Sequence, residues 1–189
     1  MKIGLFFGSF NPFHIGHKVV GSYISEFTDL DQVWFVVSPQ NPLKNKKTLL
    51  DQNHRVQIIR RDVEDNDSLF VSDIELSLPI PSYTINTLVN LKENYSNYSF
   101  SIIMGADNVK TLSKWKNYQE ILEDYTIYVY PRYNCDFRLV HKNIIYLTEV
   151  PMMGISAMFI RKSIKEGKDV SSLIPPKACS YIEEMNFYK

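Results

Sequence analysis

The sequence predicts an α/β fold built on a doubly wound parallel sheet with helices on both faces. Three observations lead there. Short, nearly continuous apolar runs recur at Ile3 to Phe7, Val33 to Val37, Phe100 to Met104, Thr126 to Tyr130 and Ile144 to Leu147, as strands covered on both faces require. Between them lie segments with apolar residues three and four apart, the helical period. Strand and helix alternate along the chain, which implies right-handed βαβ units and hence parallel strands.

Taken in order, the first strand ends in a loop at Gly8 and leads into a helix beginning near His17, with Val19, Val20, Tyr23, Ile24 and Phe27 on its apolar side. After the second strand, Asp51 is placed to N-cap a helix carrying Val56, Ile59 and Val63. Leu78-Pro79-Ile80-Pro81-Ser82 stops one segment before another helix, which Ser82 or Thr84 would cap. Near the end, Ile155 to Glu166 and Pro176 to Met185 read as two helices parted by Ile174-Pro175-Pro176, the last one packing on the flank of the sheet. The 189 residues suit a single domain, with a small C-terminal helical part from about residue 155.

Composition removes several classes of function. Lys plus Arg and Asp plus Glu both total 21, and without a basic surplus the chain is suited to neither nucleic acid nor an anionic membrane. Small anionic substrates are still allowed, because a few clustered cations can serve them. Cys135 and Cys179 are the two cysteines and form no CxxC pair, so neither a disulfide framework nor a structural zinc site is indicated. The run Ile3 to Phe7 breaks at Gly8-Ser9, shorter than a signal h-region of about 7 to 15 residues, and no later run reaches the ~18 of a membrane span. A reducing cytoplasm is the default location, and a homo-oligomer is allowed.

In an open α/β sheet, ligands bind at the carboxyl ends of strands, where strand order reverses. The loop after the first strand, Gly8-Ser9-Phe10-Asn11-Pro12-Phe13-His14-Ile15-Gly16-His17, stands at such a place. It holds no GxGxxG, and no GxxxxGK[ST] occurs elsewhere, which removes the dinucleotide and P-loop readings. What it offers is a glycine allowing close backbone approach, a helix N-terminus and two imidazoles three residues apart: an anion site. The histidine pair has no third ligand at supporting spacing for zinc, so no protein metal site is assigned.

This loop resembles the (H/T)xGH signature of the nucleotidyltransferase superfamily, whose members transfer AMP or CMP from a nucleoside triphosphate. Ile155-Ser156-Ala157-Met158-Phe159-Ile160-Arg161 is similar to the ISSTxIR segment of the same superfamily. Ser82-Tyr83-Thr84-Ile85-Asn86-Thr87-Leu88 resembles SYTxDT(L/M), Gly105-Ala106-Asp107 followed by Trp115 resembles (G)(A/G)D…W, and Asn41-Pro42-Leu43-Lys44 resembles (N/P)PHK. Those three are marks of the nicotinate-nucleotide adenylyltransferase family. The likeness runs from Lys2 to about Tyr188 and implies a Rossmann-like sheet of nucleotidyltransferase type. Asn11, Leu43 and Asn86 depart from the pattern, and Tyr130-Pro131-Arg132-Tyr133-Asn134 lacks the RPG of the family. Asn11, Leu43 and Arg132 therefore stay outside the assigned site.

The resemblance implies that ATP and nicotinate mononucleotide give deamido-NAD and pyrophosphate. The attacking phosphate is already ionised, so neither a general base nor a covalent nucleophile is needed. The protein has to align two polyanions and neutralise charge on the transferred group, with Mg²⁺ arriving mainly on the ATP. By resemblance, His14 and His17 act at the α-phosphate, Gly8, Ser9 and Phe10 supply backbone contacts, and Gly105 and Asp107 meet the nucleotide at its ribose. Ile155, Ser156 and Arg161 hold the β- and γ-phosphates, Lys44 neutralises substrate phosphate, and Trp115 stacks on the nicotinate ring, with backbone N–H groups around Thr84 and Lys116 receiving its carboxylate. Blander readings stay open: a core tryptophan for Trp115, an N-cap for Asp107, and a solvated cluster with Lys46 and Lys47 for Lys44. An adenylyltransferase for nicotinamide mononucleotide and a non-catalytic adenine-nucleotide sensor are the alternative functions.

Overall fold

The computed structural model describes residues 1–39 and 49–189. Its six strands are β1 (Lys2–Gly8), β2 (Gln32–Val37), β3 (Leu69–Ser72), β4 (Ser99–Gly105), β5 (Ile127–Tyr130) and β6 (Ile144–Tyr146). All neighbours pair in parallel, in the order β3-β2-β1-β4-β5-β6. The order reverses between β1 and β4, so a crevice opens beyond Gly8 and Gly105. Five of these strands are the apolar runs of the sequence. The sixth, β3, is four residues long at the sheet edge and follows Asn66-Asp67-Ser68, too short a run for period to reveal.

The helices are α1 (Ile15–Phe27), α2 (Gln52–Val63), α3 (Thr84–Asn94), α4 (Ala106–Val109), α5 (Tyr118–Asp124), α6 (Ala157–Lys165) and α7 (Pro176–Glu184). Continuous apolar strands need cover on both sides. On one face Phe6, Val33 and Phe35 pack with Val20 and Ile24 of α1, Ile58 and Ile59 of α2, and Ile182 of α7. On the other Ile3, Leu5 and Ile102 pack with Leu88 and Leu91 of α3 and Ile121 of α5. No helix among the described residues is long and apolar enough to cross a membrane.

Several local details differ from the sequence reading. Helix α1 begins at Ile15, not near His17, because His14 takes the extended N-cap position (φ −146°, ψ 170°). Neither Ser82 nor Thr84 caps α3: Tyr83 is the N-cap without a side-chain bond, and the Ser82 hydroxyl donates instead to Glu75 at 3.0 Å. Asp51 does cap α2, accepting from the Asn53 N–H at 2.9 Å. Helix α7 lies against α2 at the flank of the sheet, with Ile182 in the core of that face. Both cysteines are free thiols, Cys179 buried and Cys135 half-buried.

Candidate active site

Between the ends of β1 and β4 lies a cleft of about 870 Å³. One wall comes from the loop after β1, the first turn of α1 and the start of α6. Gly8, Ser9, Phe10, His14 and His17 line it from the first two, and Ile155, Ser156 and Arg161 from the third. The opposite wall comes from the start of α3, the turn from α4 to Trp115, and Arg132 beyond β5, with Thr84, Asp107, Trp115 and Lys116 facing in. Gly105 does not line the cleft; it N-caps α4 beside Asp107. Lys44 and its Asn41-Pro42-Leu43-Lys44 motif lie outside the described residues.

The first wall is packed like a core. Phe10 is 2% exposed although its φ is +43°, a left-handed conformation costly for a residue with a Cβ. Its ring repays this by meeting Phe6, Phe13, His17 and Phe35 edge-on. The His17 ring stacks on His14 at 3.7 Å and on Phe13 at 5.7 Å between centroids. Its Nδ1 accepts the His14 backbone N–H at 3.3 Å, which in the neutral ring puts the proton on Nε2. Space around Gly16 is tight, since a Cβ there would stand 3.1 Å from the His14 ring, which would have to give by a few tenths of an ångström.

His14 is 5% exposed, and among the described residues its Nδ1 has no hydrogen-bond partner. Burial, with the Arg132 guanidinium adding to it, lowers its pKa to about 4. The ring is therefore neutral near pH 7 in the free protein. Ser156 caps α6, accepting from the Phe159 N–H at 3.2 Å, and Arg161 one turn on donates to the Asn11 carbonyl at 2.6 Å. A helix N-terminus and a guanidinium on one wall favour an anion there.

The second wall is more exposed. Asp107, in the four-residue α4, pairs with Arg132 Nε at 3.4 Å, and the N-cap alternative is not what is seen, because Gly105 caps this helix. A Cβ at Gly105 would come 2.5 Å from Asp107 Oδ1. Trp115 is half-buried: it packs on the second-face core and also lines the cleft. Lys116 Nζ lies 4.9 Å from the centroid of the Tyr83 ring. Beneath, Glu75 is 2% exposed and accepts from Ser82 and, at 2.8 Å, from Thr87, fixing the start of α3.

Two residues left outside the assigned site, Asn11 and Arg132, belong to the cleft. Two more were not singled out at all. Glu75 gives no signal in sequence. Arg55 does: it sits three and four residues before Ile58 and Ile59 on the buried stripe of α2, where a charge is out of place. It is 1% exposed and donates to the backbone carbonyls of Leu50, Ser9, Ser38 and Pro39 at 2.6 to 3.2 Å. The loops after β1 and β2 are thus held by one guanidinium.

A reversal-point cleft with stacked imidazoles, a capped helix start and a guanidinium is suited to a phosphate-bearing ligand. Residues 5–163 match the cytidylyltransferase-like family. Curated relatives narrow this further. The chain is 52% identical to a probable nicotinate-nucleotide adenylyltransferase of Flavobacterium johnsoniae and 49% identical to one of Flavobacterium psychrophilum, each alignment covering 100% of both chains. It belongs to the nicotinate-nucleotide adenylyltransferase family. In fold it is similar to the nicotinic acid mononucleotide adenylyltransferase of Plasmodium falciparum solved in complex with NaAD, with a TM-score of 0.78 and 19% identity, over 99% of this chain and 97% of that one.

Proposed function

We propose that the chain joins ATP to nicotinate mononucleotide, forming deamido-NAD and pyrophosphate. The observation that carries this reading is the pairing of one wall holding His14, His17, Ser156 and Arg161 with a facing wall holding Trp115 and Lys116. A phosphate oxygen of the mononucleotide attacks the α-phosphorus of ATP, and the bond to the bridging oxygen breaks, its electron pair leaving with pyrophosphate. His17 donates from Nε2 to the α-phosphate as negative charge builds there, and neutral His14 backs it by stacking. The α6 start and Arg161 hold the β- and γ-phosphates, and Asp107 accepts from the ribose hydroxyls. Gly8, Ser9 and Phe10 supply backbone contacts to the nucleotide.

Among the described residues no three His, Cys, Asp or Glu side chains gather as a metal site. The divalent ion of the reaction arrives on the substrate, as the magnesium salt of ATP. On the second wall Trp115 stacks on the pyridine ring, and the Lys116 ammonium beside Tyr83 sits where a carboxylate would be favoured over an amide. The test is pyrophosphate release with ATP and Mg²⁺ and either mononucleotide. Faster turnover of the nicotinate compound is expected; equal or faster turnover of the nicotinamide compound overturns the choice of substrate.

A further inference from the structure

We propose that Tyr188, on the segment after α7, is a positioning residue for the phosphate-binding Arg161 and acts on it through Asn11. The inference rests on the ATP site described above. Asn11 is 6% exposed in the loop between β1 and α1, and its two oxygens receive donors from three distant parts of the chain. Its side-chain Oδ1 accepts from the Leu50 N–H at 3.2 Å and from the Tyr188 hydroxyl at 2.9 Å. Its backbone carbonyl accepts from Arg161 Nη1 at 2.6 Å. Both positions on Oδ1 are thereby used, so the side chain cannot turn without losing a buried bond.

Tyr188 does not line the cleft; it stands behind the wall. Its own placement is tightly determined. The residue has φ +68°, in the left-handed region, and Phe187 before it lies 4.7 Å from the His54 ring and 5.8 Å edge-on from Tyr181. Burial raises the pKa of the Tyr188 hydroxyl, while the Arg161 and Arg55 guanidiniums pull it back. The hydroxyl thus lies within the field of the cation that reaches the triphosphate and of the cation that holds the loops. It stays a neutral donor throughout the working pH range, which suits a fixed strut and excludes a switch.

The chain of contacts has a direct consequence. With one guanidinium nitrogen committed to the Asn11 carbonyl, the direction of the remaining Arg161 donors depends on where that peptide sits. Removing the tyrosine hydroxyl takes one donor away from Asn11 Oδ1 and loosens the hold on that peptide. The triphosphate should feel this and the mononucleotide should not.

Tyr188→Phe keeps the ring and removes the donor. ATP affinity measured by titration calorimetry should weaken about fivefold, the scale of one hydrogen bond, and KM for ATP should follow while KM for nicotinate mononucleotide stays within about twofold. The decisive comparison places Tyr188→Phe in an Arg161→Ala background, where the hydroxyl should have no further effect on ATP affinity. Additive losses overturn the proposal, as does unchanged ATP affinity in Tyr188→Phe or an equal rise in both KM values. Wild-type protein that binds ATP but releases no pyrophosphate overturns the substrate reading and leaves the binding cycle decisive for Tyr188; wild type that fails to bind ATP overturns both.

Discussion

The two walls of the cleft are built on opposite principles. On the phosphate wall His14, Phe10 and Asn11 are buried, the rings of His14, Phe13 and His17 stack, and Arg55 holds the backbone from within. On the facing wall Asp107, Arg132 and Lys116 are exposed, and they sit on short turns or loops. In-line transfer gains rate only if the groups around the reacting phosphorus are already in place, because reorganising them during reaction costs part of what they stabilise. Recognition of the acceptor needs less rigidity and benefits from access. Order is thus concentrated on the wall that the proposed transfer assigns to the reacting phosphorus.

Substitutions can break that contrast. Arg55→Met should have the largest effect, about 3 to 5 kcal/mol lost in urea unfolding, because four buried carbonyls lose their donor. A loss below about 1 kcal/mol would mean that the loops hold themselves. Next comes acid stability. His14 titrates near 6.5 when unfolded and at about 4 when folded, so between those values the unfolded chain binds more protons. Stability must therefore fall as pH drops through that window, by about 3 kcal/mol at full extent, and His14→Asn should flatten the slope in denaturation curves taken from pH 7 to 4.

His17→Ala should lower kcat about 10²-fold with little change in KM, the scale of one lost transition-state donor. A loss under threefold removes His17 from the chemistry. Because His14 is neutral near pH 7, loss of a proton from its ring should contribute nothing to any decline in rate as pH rises from about 6 to 8. The smallest effect belongs to the open wall: Trp115→Ala should raise KM for the mononucleotide about tenfold and leave that for ATP nearly unchanged. Equal rises would show that the two walls are not independent, and would point to the packing of Trp115 on the second-face core.

Much of this was legible from the chain. The runs Ile3 to Phe7 and Phe100 to Met104 mark the two central strands, since only strands covered on both faces stay apolar throughout. The loop holding His14, Gly16 and His17 follows the first of them directly, so its place in the site follows from topology. Other contributions left weaker traces. β3 is four residues long, Glu75 is one acid between two apolar residues, and Tyr188 is one of twelve tyrosines. Arg55 left a readable sign, a charge on a buried helical stripe, whose purpose was not.

The alternation of strands and helices, the loop that lines the cleft after β1 and the family of the chain were readable from the sequence alone, because period and local motif are properties of neighbours along the backbone. Only the tertiary structure decided the depressed pKa of His14, the four carbonyls on Arg55 and the convergence of Leu50, Tyr188 and Arg161 on Asn11. Desolvation and buried hydrogen bonds depend on what packs around a group, and Asn11 and Tyr188 stand 177 positions apart.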